Sequence, residues 1–222
     1  MNIIKQIVIM ILFLSTISFS YAGYKPITKG FLLGINMTDI SGDHFDDSRS
    51  DIGFSLGGFI NNTFNNEFSF QPELYLTTRK VSSKQHKKFV DSQLLKYSID
   101  SDLDYQAMYL EMPLLLKLNI DLNDKVTPHF VAGPYVSLNI SHSYDYNFSK
   151  VITKQNGDTI HSQLTRGGYD VNPFEWGILL GTGINFNKYA IQLRYNYALS
   201  DISSNLDQKY RILSFLFFYS FN

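Results

Sequence analysis

The sequence predicts an all-β chain, an eight-stranded antiparallel transmembrane β-barrel with short periplasmic turns and long extracellular loops. Three observations carry that prediction. Apolar residues recur with a period of two through eight stretches. Several of these stretches run ten residues or more, enough to cross a bilayer at a barrel's tilt, whereas strands of soluble proteins run about five or six. Short and long connections alternate strictly between them, which is the organisation of barrels that span a membrane.

The N-terminus reads as an export signal. Lys5 precedes an apolar run from Ile7 to Leu14, and Ser20-Tyr21-Ala22 offers small residues at the two positions a signal peptidase reads. The run is short for a retained membrane helix. Residues 1–22 are therefore expected to be removed after Ala22, leaving one barrel domain over residues 23–222. There is no cysteine, which excludes a disulfide-stapled module and a cysteine-acylated lipoprotein. A net charge of −1 gives no electrostatic case for nucleic acid.

The strands follow in order. Phe31 to Thr38 and Ile52 to Asn61 are the first two, with weak alternation. In the third, Phe68, Phe70, Pro72, Leu74 and Leu76 oppose Glu67, Ser69, Gln71, Glu73, Tyr75 and Thr77. In the fourth, the even positions from Met108 to Ile120 are apolar, and the odd face carries Tyr109, Glu111, Pro113 and Lys117. The fifth, Val126 to Ser141, is again weak. In the sixth, Phe174, Trp176, Ile178 and Leu180 oppose Glu175, Leu179 and three glycines. The seventh sets Tyr189, Ile191, Leu193 and Tyr195 against Gln192, Arg194 and Asn196. The last sets Leu213, Phe215, Phe217, Tyr219 and Phe221 against Ser214 and Ser220.

Phe64 to Asn66, Asp121 to Lys125 and Asn187-Lys188 are the tight turns. Asp39 to Asp51, Lys80 to Asp104, Ser143 to Val171 and Ser200 to Gln208 are the long loops. A soluble lipocalin-like barrel also has eight alternating strands, but its apolar face points inward. The export signal, strand lengths and loop alternation favour apolar faces toward lipid. Pro72, Pro113 and Pro134 fall within strands, where bulges or missing ladder bonds are expected.

These stretches resemble the PorT-like outer-membrane β-barrel domain family of Bacteroidetes-type bacteria. "FSFQPELYL" from Phe68, "YLEMPLLLKL" from Tyr109 and "VAGPYVSL" from Val131 carry the likeness, followed by "GILLGTGINF" and "IQLRYNYALSDI". The resemblance implies an outer-membrane barrel; some relatives are linked to protein secretion and gliding. The chain ends Phe221-Asn222, whereas the common assembly signal ends in an aromatic residue; the last strand still sets Phe217, Tyr219 and Phe221 on one face, so recognition by the barrel-assembly machinery is expected.

Candidate chemistry is sparse. His44, His86, His129, His142 and His161 are the histidines, and Ser141-His142-Ser143 lies near the outer rim, where a barrel hydrolase would work. Asp39, Asp43, Asp46, Asp47 and Asp51 are oxygen ligands for calcium in principle, without EF-hand spacing. Arg79, Lys80, Lys84, Lys87 and Lys88 precede Asp100, Asp102 and Asp104 in the second loop, a pattern suited to lipopolysaccharide phosphates or to pairing within the loop. Asn156-Gly157 marks a hairpin flanked by strands at Val151 to Thr153 and Thr159 to Ser162. No catalytic residue, cofactor or metal ligand is assigned. Glu73, Glu111, Lys117, Glu175 and Arg194 are expected to face the lumen as a structural polar network, with Arg194 paired to Glu73 or Glu111, because a barrel of this size is filled by side chains. The expected function is a non-enzymatic structural, interaction or envelope-assembly accessory acting through extracellular loops. Its partners would be outer-membrane lipid, the assembly machinery and an envelope protein, with no nucleic acid. A small-solute pore and a barrel-embedded hydrolase are the alternatives.

Overall fold

The computed structural model describes residues 27–42, 48–90, 96–120, 126–153, 159–167, 171–203 and 208–221. The predicted signal peptide lies outside them. Among the described residues ten strands form: β1 (Ile27–Gly42), β2 (Ser48–Ser50), β3 (Ile52–Thr63), β4 (Phe68–Val90), β5 (Lys96–Asn119), β6 (Thr127–Thr153), β7 (Thr159–Gly167), β8 (Phe174–Phe186), β9 (Tyr189–Ala198) and β10 (Gln208–Ser220). Eight of them close a ring in the order β4-β3-β1-β10-β9-β8-β6-β5, with β5 pairing back to β4. Every neighbour in the ring is antiparallel. Closure leaves no edge in the wall, so each backbone polar group there can find a ladder partner.

The period-two pattern decides which way each face points. On β9, Ala190, Gln192, Arg194, Asn196 and Ala198 are buried while Leu193, Tyr195 and Tyr197 are exposed. On β8, Glu175 and Leu179 are buried while Phe174, Trp176, Ile178 and Leu180 are exposed. The outer surface is thus the apolar one, opposite to a lipocalin. From Phe174 to Ile184, both exposed, the chain rises about 33 Å at about 3.3 Å per residue. Tilted at about 40°, that is an apolar band about 25 Å tall, the height of a membrane barrel's. Phe31, Tyr189, Tyr219 and Phe221 cluster on the outside at the short-turn end, with ring centroids 5.4 to 6.1 Å apart. Aromatic girdles of this kind sit at bilayer interfaces.

The turn at Asn187-Lys188 joins Phe186 to its partner Tyr189 directly. Asn187 takes φ of 54°, the left-handed region that asparagine tolerates better than most residues. The turn at residues 121–125 lies outside the described residues.

Three of the expected long loops are corrected in part: within residues 39–51, β1 stays paired as far as Gly42↔Gln208 and β2 forms at Ser48–Ser50. Over residues 80–104, where the sequence predicts a loop, β4 and β5 stay paired from the wall out to Val90↔Lys96. Residues 143–171 likewise contain strand: β6 runs to Thr153 and pairs β7 from Asp145↔Gly167 to Thr153↔Thr159. The flanks predicted around Asn156-Gly157 are strands, and the turn itself lies outside the described residues. β2 pairs β4 at Ser48↔Ser83 to Ser50↔Val81. The result is a sheet that continues past the wall on one side of the ring. Its sequence hides it because neither face of a strand in water needs to be apolar, so the alternation stops where the membrane stops while the ladder goes on.

The prolines leave gaps without slippage. In the β3–β4 ladder the pairs opposite Gln71 and Pro72 are missing, yet Phe59↔Glu73 and Asn62↔Phe70 keep one register. Pairs are likewise missing next to Pro113 between β4 and β5, and next to Pro134 between β5 and β6, again with one register on both sides. Proline removes a donor but its fixed φ is compatible with an extended chain. The one register shift in these ladders falls elsewhere, where Met108 pairs Ser141 and Tyr109 pairs Asn139, leaving Ile140 as the extra residue. Met112 and Leu138 have lipid-face parity but are buried. The register sets Leu138 beside Phe174, and Met112 beside Val136, which pairs Trp176, so large neighbours cover them.

Candidate functional site

Side chains fill the lumen in layers from the long-connection end down to the pair of Arg194 with Glu73. At the long-connection end lies an apolar and tyrosine-rich cap. Ile40, Val81, Tyr105, Tyr109, Tyr210 and Ile212 come from the wall, and Val171 and Ile202 come from the connections. These connections fold back over the opening: Asn172 N–H donates to Ile202 O at 2.8 Å and Ile202 N–H to Gln208 O at 2.8 Å.

Beneath the cap is Arg79, completely buried. Its Nη2 donates to Glu111 Oε2 at 2.7 Å and its Nη1 to Glu175 Oε2 at 2.5 Å. The guanidinium lies 4.1 Å from the Tyr109 ring centroid and 4.9 Å from that of Tyr210, which adds cation–π attraction. Each carboxylate is held further. Glu111 accepts from Tyr75 Oη at 2.5 Å, Asn196 Nδ2 at 2.8 Å and Ser137 Oγ at 3.1 Å. Glu175 accepts from Tyr135 Oη at 2.9 Å. A planar fork with five donors suits this role; an ammonium would not reach both acids in one plane.

The next layer is Arg194 with Glu73. Nη1 meets Oε2 at 2.7 Å and Nη2 meets Oε1 at 2.6 Å, a bidentate pair. Gln192 Oε1 accepts from Arg194 Nε at 2.8 Å and Nη2 at 2.6 Å, and Gln71 Nε2 donates to Glu73 Oε1 at 2.6 Å. Two glycines of β8 make room for this. A Cβ on Gly181 would come within 2.9 Å of Arg194 Cγ and of Val131 Cγ2, and one on Gly183 within 2.6 Å of Gln192 Cγ.

The five residues expected in the lumen are therefore all inside and buried, but they divide. Arg194 takes Glu73 and not Glu111. Glu111 and Glu175 belong to Arg79, which lies in the lumen and not in the basic loop that the sequence predicts for it. Lys117 lies apart, toward the short turns, donating to Asn185 Oδ1 at 2.9 Å. Parity held the missing signal: Arg79 continues the inward series Glu73, Tyr75, Thr77.

Comparison with known proteins settles the family. The model of the outer membrane protein beta-barrel domain matches residues 18–204. This chain belongs to that family. The outer membrane protein beta-barrel domain places the chain in the outer membrane, with its apolar band as the wall. None of the curated proteins matches the chain by sequence. Among solved structures it is similar to Ail, the attachment invasion locus protein of Yersinia pestis, crystallised with the heparin analogue sucrose octasulfate. That match has 17% identity, covers 89% of this chain and 100% of that one, and has a TM-score of 0.41. Neisserial surface protein A matches at 14% identity, 89% and 100% coverage, and a TM-score of 0.38. OprG from Pseudomonas aeruginosa matches at 12% identity, 88% and 94% coverage, and a TM-score of 0.34.

His142 Nδ1 lies 3.1 Å from Asn139 Oδ1, and no serine–histidine hydrogen bond occurs among the described residues. Ser141 and Ser143, its chain neighbours, take the opposite side of the strand. His129 is buried in the wall of β6; His44 lies outside the described residues. Asp43, Asp46 and Asp47 do too, and no group of three or more potential metal ligands converges among the described residues. In the ladder beyond the wall, Lys84 stands opposite Asp102 and His86 opposite Asp100.

Proposed function

We propose that this outer-membrane barrel is a non-enzymatic envelope protein that acts through the sheet beyond its wall, as an accessory to envelope assembly or protein secretion of the PorT-like kind. The observation that carries the reading is the continuous ladder β4–β5–β6–β7, which extends past the barrel to Val90, Lys96, Thr153 and Thr159. Structure built there presents a surface to a partner, whereas two layers of paired charges block the lumen behind it. The long connections face outside and the short turns face the periplasm. Residues 1–22 direct export and are removed. The outer face of β10, with Phe217, Tyr219 and Phe221, is what the assembly machinery reads, and the apolar band contacts lipid.

The test replaces residues 83–101 with a short turn. The shortened barrel should still insert, migrate as a folded species on unheated gels and pass no current in a planar bilayer. A photo-crosslinker at position 98 of the full chain should trap one envelope protein in intact cells, and the shortened chain should lose the associated envelope phenotype. A steady conductance from the full barrel would replace this reading with the pore. Lipid or peptide hydrolysis abolished by His142→Ala would replace it with an enzyme.

A further inference from the structure

Below the Arg194–Glu73 layer the lumen opens at the short-turn end into a cup of about 220 Å³, with Lys117, Gln192, Asn61, Asn119 and Asn185 in its walls and Phe59 and Phe218 on its apolar side. Its polar groups are matched only in part: Lys117 Nζ donates to Asn185 Oδ1 at 2.9 Å and Asn185 Nδ2 to Asn119 Oδ1 at 3.3 Å, but others are left over. Lys117 is 7% exposed. An ammonium has three donors, and its one side-chain partner among the described residues is the neutral Asn185 Oδ1. The carboxylate of the layer above, Glu73, already receives both arms of Arg194 and the Gln71 amide. Gln192 is 1% exposed, and its amide orientation is fixed because Oε1 accepts twice from Arg194. Its Nε2 must therefore point away from that guanidinium, and it has no partner among the described residues. Asn61 Oδ1 is a buried acceptor in the same condition.

The lumen balances as a whole, three bases against three acids, but unevenly along its height: Arg79 faces two carboxylates in the upper layer, Arg194 and Glu73 cancel below it, and the base at the short-turn end, Lys117, has no acid of its own. Buried polar groups without partners are costly, and a cup with one cation, a fixed amide donor and an apolar wall is matched by a monoanion with a small carbon body. We propose that the cup binds a carboxylate, with its oxygens on Lys117 Nζ and Gln192 Nε2 and its carbon chain against Phe59 and Phe218. Phe59 and Phe218 hold each other edge to face at 5.3 Å, so that wall is preformed. The single charge favours a carboxylate over a doubly charged phosphate. Asn187 and Ser220 also line the cup, which puts its mouth at the turns, so the ligand enters from the side opposite the outer sheet.

Two sources share this chemistry: a free small acid, and the C-terminal carboxylate of a peptide. Calorimetry on the purified barrel in zwitterionic detergent at low chloride separates them, with sodium propionate, a free tripeptide and the same tripeptide amidated at its C-terminus as probes. Saturable binding of propionate or of the free tripeptide, with none of the amidated one, is the expected result, and whichever binds more tightly identifies the source. Lys117→Met should weaken it at least tenfold. Gln192→Glu keeps the acceptor for Arg194 and supplies an internal carboxylate, so it should abolish binding while the barrel keeps its folded mobility on unheated gels. Absence of saturable binding in the wild-type barrel, equal binding of the amidated peptide, or binding unchanged in both variants would overturn the proposal.

Discussion

Replacing Arg79 by methionine removes the charge at the centre of the upper layer and keeps most of the side chain's volume. It breaks two ion pairs, at 2.7 and 2.5 Å, in a site where the arginine is 0% exposed. It also ends the stacking on Tyr109 and Tyr210. The stacking alone sets a floor, at about 0.5–2 kcal/mol. Stranding a buried charge by removing its partner typically costs about 3–5 kcal/mol. Here two acids are stranded together, but Tyr75, Asn196, Ser137 and Tyr135 still donate to them. The loss is therefore expected within about 3–5 kcal/mol and not at twice that figure. Urea unfolding of the barrel in detergent reads it, with the single tryptophan, Trp176, as the probe; Trp176 stands on the outer face next to Glu175 and leaves the apolar band on unfolding. Arg79→Met combined with Glu175→Gln should recover part of the loss, since one acid is then neutral. A single mutant within about 1 kcal/mol of wild type, below the range for a stranded buried charge, would refute the reading of this layer as a stabilising network.

Gly181→Val pushes a side chain into Arg194 and Val131 and should cost about 1–3 kcal/mol by overpacking, measured by the same urea midpoint; an unchanged midpoint would mean the lumen has slack at that height. Leu193→Arg places a charge on the exposed face near mid-height and should lower folding into lipid vesicles by about 2–4 kcal/mol, while Glu67→Arg, exposed at the first short turn, should change it little; equal behaviour would move the band. Because the chain has no cysteine, single cysteines report topology cleanly. Ser143→Cys should react with an impermeant maleimide on intact cells and Asn65→Cys only after the outer membrane is opened, and the opposite pattern would invert the orientation.

The wall was legible because the bilayer writes a period of two into any strand that crosses it, and Gln192, Leu193, Arg194 and Tyr195 each fall on the side their polarity assigns. Past Thr78 that constraint lapses, so residues 80–104 read as a polar loop although their backbones remain paired. Arg79 was lost at that boundary: composition grouped it with the lysines that follow, while parity tied it to Glu73 and Tyr75. The extra residue at Ile140 left no mark either, since a bulge needs no special side chain, and the prolines that did stand out shift nothing. Within the lumen, residue type showed that Glu73, Glu111 and Arg194 must face inward, but partner choice depends on stagger around the ring, which a period along each strand does not contain.

The charged layers also bear on how the barrel assembles. Glu73 and Arg79 are carried by β4, and their partners by β5, β8 and β9; in the ring β9 stands four places from β4, on the far wall. Before the ring closes, Arg79 can meet Glu111 on the adjacent β5, but Glu73 has no base to meet, and the strand that neutralises it is among the last made. An open, half-inserted sheet is therefore penalised at every stage until the final seam forms. The same residues that lock the finished barrel act as a closure check, which discourages partial products and makes insertion and sealing a single cooperative event.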